Sequence, residues 1–179
     1  MLEDMLLVWK FKAGDSEALG RIYDKYRKRL LRTAAGLLTR ADAAEDVVHD
    51  LFLWLARSPE KVRLRGNLRS FLVTCVANRA RNANKAGRTR VAARLDDAGP
   101  VVCEGPRPER WLIAGEQLQR LNGALAELPY EQREVIVLHL QGGMTFREIA
   151  KEQGASINTA LSRYRYGLDK LRSLLNGEV

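Results

Sequence analysis

Residues 143–175 read GMTFREIAKEQGASINTALSRYRYGLDKLRSLL, and this stretch predicts two short helices joined by a tight turn. Thr145 and Glu148 form a T-x-x-E capping box at the first helix start, and Ile149 and Ala150 face inward behind it. Gly154 offers the left-handed conformation that ends a helix, and Ser156 restarts the chain as the N-cap of the second. Along that second helix Ile157, Leu161, Tyr164, Leu168, Leu171 and Leu175 recur at helical spacing, so one side is predicted to pack. The other side carries Asn158, Thr159, Ser162, Arg163 and Tyr166 in its early turns, then Arg165, Lys170 and Arg172. A helix-turn-helix puts the start of its second helix into the major groove. Asn158, Thr159, Ser162 and Arg163 are therefore candidates for base edges, and Arg165 and Lys170 for phosphates. Bare spacing fits an ordinary pair of helices equally well; the double capping and the basic exposed side favour DNA.

The whole chain has 179 residues and a formal charge of +8, which points to a polyanionic partner, nucleic acid or an anionic membrane surface. No apolar run approaches the roughly 20 residues a membrane span needs, and the acidic start MLEDMLLVWKFK is wrong for a secretory signal. A cytoplasmic protein without membrane insertion is expected. Cys75 and Cys103 suggest no disulfide framework, Cys75 reading as a small core residue and Cys103 as an exposed loop thiol. His49 and His139 have no partners at metal-ligand spacing, so neither a metal site nor a cofactor is predicted.

Upstream the pattern is helical throughout. Leu2, Met5, Leu6 and Trp9 form one side of a first short helix, read as core. Asp15 reads as the N-cap of a long helix with Leu19, Ile22, Tyr23, Tyr26, Leu30, Ala34 and Leu37 inward. Asp42 and Glu45 read as a capping pair for a third helix with Ala44, Val47, Val48, Leu51, Trp54 and Leu55 buried. On another side of that helix Asp46, His49, Asp50 and Leu53 line up, an acidic stripe ending in an exposed leucine. Such a stripe is either merely solvated or a docking face for a protein; it does not suit DNA phosphates.

Charge then inverts. Arg57 to Arg94 hold eleven Lys and Arg against the single acid Glu60, more than the net charge of the whole chain. Within this block Asn67 or Ser70 opens a helix with Phe71, Leu72, Cys75, Val76 and Ala80 inward. Thr74, Asn78, Arg81, Asn82 and Lys85 line the opposite side, with Arg63, Arg65 and Arg69 flanking the loop before it, a mixture of cations and amides suited to phosphates and bases. From Asn84 to Arg110 periodicity fades among Gly99, Pro100, Gly105, Pro106 and Pro108, the composition of a flexible linker. Trp111, Ala114, Leu118, Leu121 and Leu125 resume the helical pattern, which breaks at Leu128-Pro129 and restarts as EQREVIVLHLQ up to Gly142-Gly143. The predicted architecture is all-α: a bundle over 1–83, a linker over 84–110 and a helix-turn-helix domain over 111–179.

Four blocks in this order resemble the small extracytoplasmic-function (ECF) sigma factors of bacterial RNA polymerase. GDSEALGRIYDKYRKRLLRTA is similar to their opening helix, AEDVVHDLFLWLA to the segment that binds the β′ clamp helices, LRSFLVTCVANRARN to the helix that meets the −10 element, and ALAELPYEQREVIVLHLQGG with the helix-turn-helix to the −35-reading domain. Carried over by position, the resemblance makes Asp46 and Asp50 the clamp-binding acids, with His49 where glutamine is usual and Leu53 beside them. Asn78 matches the −10 helix, while Phe71 stands for a tryptophan and Val73 and Thr74 replace an aromatic and an arginine. The loop from Arg65 to Ser70, with Asn67 as its amide, becomes the expected pocket for a flipped base. Thr159, Ser162 and Arg163 match the recognition helix, with Leu161 in the family's lysine position.

The resemblance implies core RNA polymerase, through the β′ clamp helices and the β flap, and promoter DNA as partners, and it admits an anti-sigma factor. It implies a promoter-specificity subunit without catalysis of its own, which reads −10 and −35 elements and aids strand opening. A stand-alone helix-turn-helix regulator of duplex DNA is the alternative, although it gives no role to the acidic stripe or the basic block. An enzyme is disfavoured by the lack of clustered metal-binding carboxylates, a phosphate-cradling glycine loop, or a nucleophile paired with a base.

Overall fold

The computed structural model describes residues 2–62, 64, 67–94 and 112–177. Its helices, in order, are α1 (Leu2–Lys12), α2 (Ser16–Leu37), α3 (Ala44–Arg57), α4 (Leu68–Arg94), α5 (Leu112–Ala126), α6 (Tyr130–Leu140), α7 (Phe146–Glu152) and α8 (Ile157–Asn176), with tight 3-10 turns at Ala41–Ala43 and Pro59–Lys61. Among the described residues there is no strand, and no helix is long and apolar enough to cross a membrane.

Asp15 caps α2 as its sequence position predicts, its carboxylate accepting the Glu17 and Ala18 N–H groups at 2.9 and 3.2 Å. Behind that cap Ala18, Ile22, Tyr26, Leu30, Ala34 and Leu37 are buried against α1, α3 and α4. The expected rotation of α1 is wrong. Leu2, Met5, Leu6 and Trp9 are exposed, Leu2 to 85% and Trp9 to 67%, while Leu7, Val8 and Phe11 enter the core. Lys25 of α2 donates to Glu3 and Asp4 at 2.5 and 2.8 Å, on the edge of α1 shared by Leu7, Val8 and Phe11, which stand three, four and seven places beyond Asp4.

Asp42 does not cap α3. The 3-10 turn shifts the helix start, Ala43 takes the cap position without a side-chain bond, and Arg40 holds the Asp42 carboxylate at 2.6 Å. Burying Ala44, Val47, Val48, Leu51, Phe52 and Leu55 anchors the helix nonetheless. The linker prediction begins too early, because α4 runs unbroken through Asn84 to Arg94. Lys85, Ala86 and Gly87 are exposed, so periodicity fades there for want of a packing surface while the helix continues. Asn84 itself does structural duty: its Nδ2 donates to the Leu37 carbonyl at 2.9 Å, and its Oδ1 accepts the Thr39 N–H at 2.9 Å.

Helix α6 is buried on all sides from Arg133 to Leu138, which marks it as an interior element between two layers. It packs on α8 on one side and α2 on the other. Both approaches need glycine. A Cβ at Gly167 of α8 would come within 2.9 Å of Ile136 Cδ1, and one at Gly36 of α2 within 2.9 Å of Val137 Cγ2. The N-terminal helices and the helix-turn-helix unit thus share one continuous core.

Candidate nucleic-acid interface

The acidic stripe forms as its spacing predicts. Asp46, His49 and Asp50 are exposed on α3 and Leu53 is 38% exposed, opposite the buried Val48, Leu51 and Leu55. Asp46 and His49 also border an open groove of about 250 Å³ shared with Tyr23, Arg27 and Leu31 of α2.

The α4 face has a different setting from the one its composition suggests. Arg65, like Arg63, lies outside the described residues. Asn67 Oδ1 accepts the Ser70 N–H at 2.7 Å, an N-cap that leaves less of this amide for a base. The core side is Leu68, Leu72, Val73, Val76, Ala77 and Ala80, whereas Phe71 and Cys75 are only half-buried. Burial still pushes the Cys75 thiol up to about 11, so it is inert at neutral pH. Val73 is fully buried because the second unit covers it: a Cβ on Gly142 would lie 2.8 Å from Val73 Cγ1.

Three carboxylates of the second unit meet the polar side of α4. Arg81 donates to Glu134 Oε1 at 2.6 Å and to Asn78 Oδ1 at 2.8 Å. Ser70 Oγ donates to Glu148 Oε1 at 2.8 Å. Glu152 faces Thr74 and Asn78; burial raises its carboxyl above the ordinary value, partly offset by Arg81. Burial alone would also raise Glu148, but the Thr145 N–H, the Ser70 and Thr145 hydroxyls and Arg69 outweigh it and hold its carboxyl low. Asn82 and Lys85 remain exposed beyond this contact.

Sequence reasoning missed these acids. Glu134 offered a signal, a lone carboxylate at the start of the apolar run VIVL, where an unpaired charge is untenable. Arg29 adds a further tie, Nη1 donating to the Gln141 carbonyl at 3.0 Å.

In the helix-turn-helix the local predictions hold. Thr145 and Glu148 bond reciprocally in a capping box, Gly154 has φ +62°, and Ser156 Oγ accepts the Thr159 N–H at 3.0 Å. His139 stacks on Phe146 with centroids 4.3 Å apart, and Tyr164 meets both rings edge-on, so the imidazole is a packing group between α6, α7 and α8. The buried line of α8 is Ala160, Gly167 and Leu171, with Tyr164 and Leu168 half-buried. Ile157 and Leu161 are not core residues: they are 41% and 37% exposed, because a short α7 covers only one flank of the start of α8. Asn158, Thr159, Ser162, Arg165, Tyr166 and Lys170 are exposed. Arg163 is half-buried at the edge of that face, and its Nη1 donates to Gln153 Oε1 at 2.8 Å.

Comparison with known proteins matches two separate stretches of the chain. Residues 22–90 match the family Sigma-70 region 2, and residues 118–171 match Sigma-70, region 4. Similar proteins include the ECF RNA polymerase sigma factor SigK of Mycobacterium tuberculosis, 27% identical over 170 residues that cover 90% of this chain and 88% of that protein. The RNA polymerase sigma factor CarQ of Myxococcus xanthus is 29% identical over 172 residues, 95% of each chain. Among solved structures, CnrH in complex with the cytosolic domain of CnrY shares the fold with a TM-score of 0.72 at 24% identity over 99% of both chains. The sigma factor RpoE in complex with the anti-sigma factor NepR from Bartonella quintana gives 0.66 at 25% identity over 87% of this chain and 97% of that one.

Proposed function

The chain belongs to the sigma-70 family, in its extracytoplasmic-function branch, and from that membership we propose how its two helical units divide the work of starting transcription. It is an alternative sigma factor that directs promoter-specific initiation by RNA polymerase. The observation that carries this reading is the ordered pair of family matches, one on each side of residues 91–117.

In our proposal the α3 stripe of Asp46, His49, Asp50 and Leu53 docks on the basic β′ clamp helices, and the second unit meets the β flap. Exposed carboxylates around a half-exposed leucine suit a basic partner with an apolar spot. Helix α4 presents Arg69, Thr74, Asn78, Arg81, Asn82 and Lys85 to the −10 element, with Arg65 and Asn67 in the loop before it. Helix α8 enters the −35 major groove with Asn158, Thr159, Ser162 and Arg163 toward bases and Arg165, Tyr166 and Lys170 toward the backbone. The first unit extends to the end of α4, beyond residue 83. The protein contributes no bond-making step, acts in the cytoplasm where polymerase and promoters are, and takes an anti-sigma factor as a regulatory partner. The capture of RpoE by NepR supports that last assignment by analogy.

The −10 face of α4 is occupied in this arrangement, with Arg81 donating to Glu134 and to Asn78 and Ser70 donating to Glu148. The two units therefore part before α4 engages the −10 element, and the closed arrangement is a form not yet on DNA. A stand-alone duplex-binding regulator would leave the matched first unit without a role. The test is transcription by core polymerase on a genomic promoter library, with and without the protein. A discrete set of protein-dependent start sites sharing −10 and −35 motifs is expected; an unchanged transcript set overturns the reading.

A further inference from the structure

We propose that Gln153, in the turn of the helix-turn-helix, is a specificity-determining positioning residue that sets the direction in which Arg163 presents its guanidinium to DNA. The inference rests on α8 being the −35-reading helix.

Gln153 is the C-cap residue of α7, its backbone N–H bonded to the Ile149 carbonyl. Its side-chain amide has a single tenable orientation. The Nε2 group donates to Glu134 Oε2 at 2.9 Å and to the Glu131 carbonyl at 3.1 Å, two groups that only accept. Turning the amide over would set its oxygen against a carboxylate and a carbonyl. Oε1 is therefore held toward α8, where it accepts Arg163 Nη1 at 2.8 Å. The foundation is rigid, because Glu134 is 3% exposed and also accepts the Tyr130 hydroxyl at 3.2 Å.

Arg163 lies at the flank of α8, between the buried line of Ala160 and Gly167 and the exposed line of Thr159 and Tyr166. A long side chain on such a border sweeps a wide arc unless something holds it. Gln153 occupies one terminal nitrogen and leaves Nε and Nη2, an edge able to make the paired contacts by which arginine reads guanine. Fixing the group beforehand sharpens selection, since the correct contact no longer has to order it.

The experiment uses the full chain assembled with core polymerase and a duplex library randomised through the −35 region, comparing wild type with Gln153→Leu, Arg163→Ala and the double variant. Gln153→Leu is expected to reduce preference at the same base position as Arg163→Ala, by about 2- to 10-fold, and to leave the other positions unchanged. The double variant is expected to match Arg163→Ala alone. Gln153→Met, of similar length, repeats the measurement if Gln153→Leu folds poorly. Uniform weakening on all sequences with a lowered melting temperature, in both Gln153 variants, would make the residue structural and overturn the proposal. A wild-type motif in Gln153→Leu beside an altered one in Arg163→Ala would overturn it too, with the −35 reading of α8 intact. Should Arg163→Ala leave the motif unchanged while Ser162→Ala or Thr159→Ala alters it, Arg163 is no reader and the proposal fails alone. If no α8 variant alters the motif, the reading of α8 fails with it.

Discussion

Arg81 on α4 and Glu134 on α6, 53 residues apart in the chain, form an ion pair at 2.6 Å whose carboxylate is 3% exposed. The acid is locked inside the second unit while the cation belongs to the helix assigned to the −10 element, so the pair reports whether the units are closed. Glu134→Gln keeps the shape and removes the charge. Because Arg81 is 40% exposed, the loss is expected at about 1 to 2 kcal/mol, below that of a fully buried pair. Hydrogen exchange should quicken along the covered side of α4, from Ser70 to Arg81. Unaltered exchange there would show that the pair does not hold the units together.

Glu148 both closes the α7 capping box and accepts from Ser70 across the units. Its carboxyl sits below the ordinary 4.5 in the folded protein. The stability it confers is therefore fully present above 4.5 and lost as pH falls through the lower folded value. Glu148→Gln should cost about 1 kcal/mol at pH 7 and flatten the acid limb of a melting-temperature curve below pH ~4.5. A parallel acid limb in wild type and variant would remove Glu148 from the acid response.

Asp46 and Asp50 are exposed on a helix anchored by its opposite side. Asp46→Lys with Asp50→Lys should abolish association with core polymerase, read by co-purification or size exclusion, and leave the helical circular dichroism signal unchanged. Retained association would reduce the stripe to a solvated face.

Leu161 is 37% exposed on the early part of α8. Leu161→Lys should thus raise affinity for any duplex and steepen the salt dependence by roughly one counterion, without lowering the melting temperature. Lys170→Ala should do the reverse, weakening all sequences nearly uniformly. A clear drop in melting temperature for Leu161→Lys would mean that this leucine packs after all.

Helix starts were the most legible part of the chain, and the reason is range. Asp15, the Thr145–Glu148 box and Ser156 are satisfied within a single turn, so their partners stand three residues away in the sequence itself. The acidic stripe was legible for a related reason, since the helical period alone sets which residues share a face. Asp42 failed because Arg40, equally close, competes for the same carboxylate. What periodicity does not contain is rotation against a neighbour. Apolar residues surround α1, and it is Leu7, Val8 and Phe11 that go inward, on the edge where Lys25 pairs with Glu3 and Asp4.

The sequence by itself determined an all-α chain, its capped helix-turn-helix, an acidic α3 stripe and a basic α4, because each follows from bonds or spacings within a few residues. Only the tertiary structure decided that the polar side of α4 would meet Glu134, Glu148 and Glu152, and that Gln153 would stand between Glu134 and Arg163. Those contacts join residues from 10 to 78 positions apart. Close approaches at glycine go with them, Gly36 of α2 against Val137 of α6, Gly142 in the turn after α6 against Val73 of α4, and Gly167 of α8 against Ile136 of α6, a fit of surfaces that no local pattern encodes.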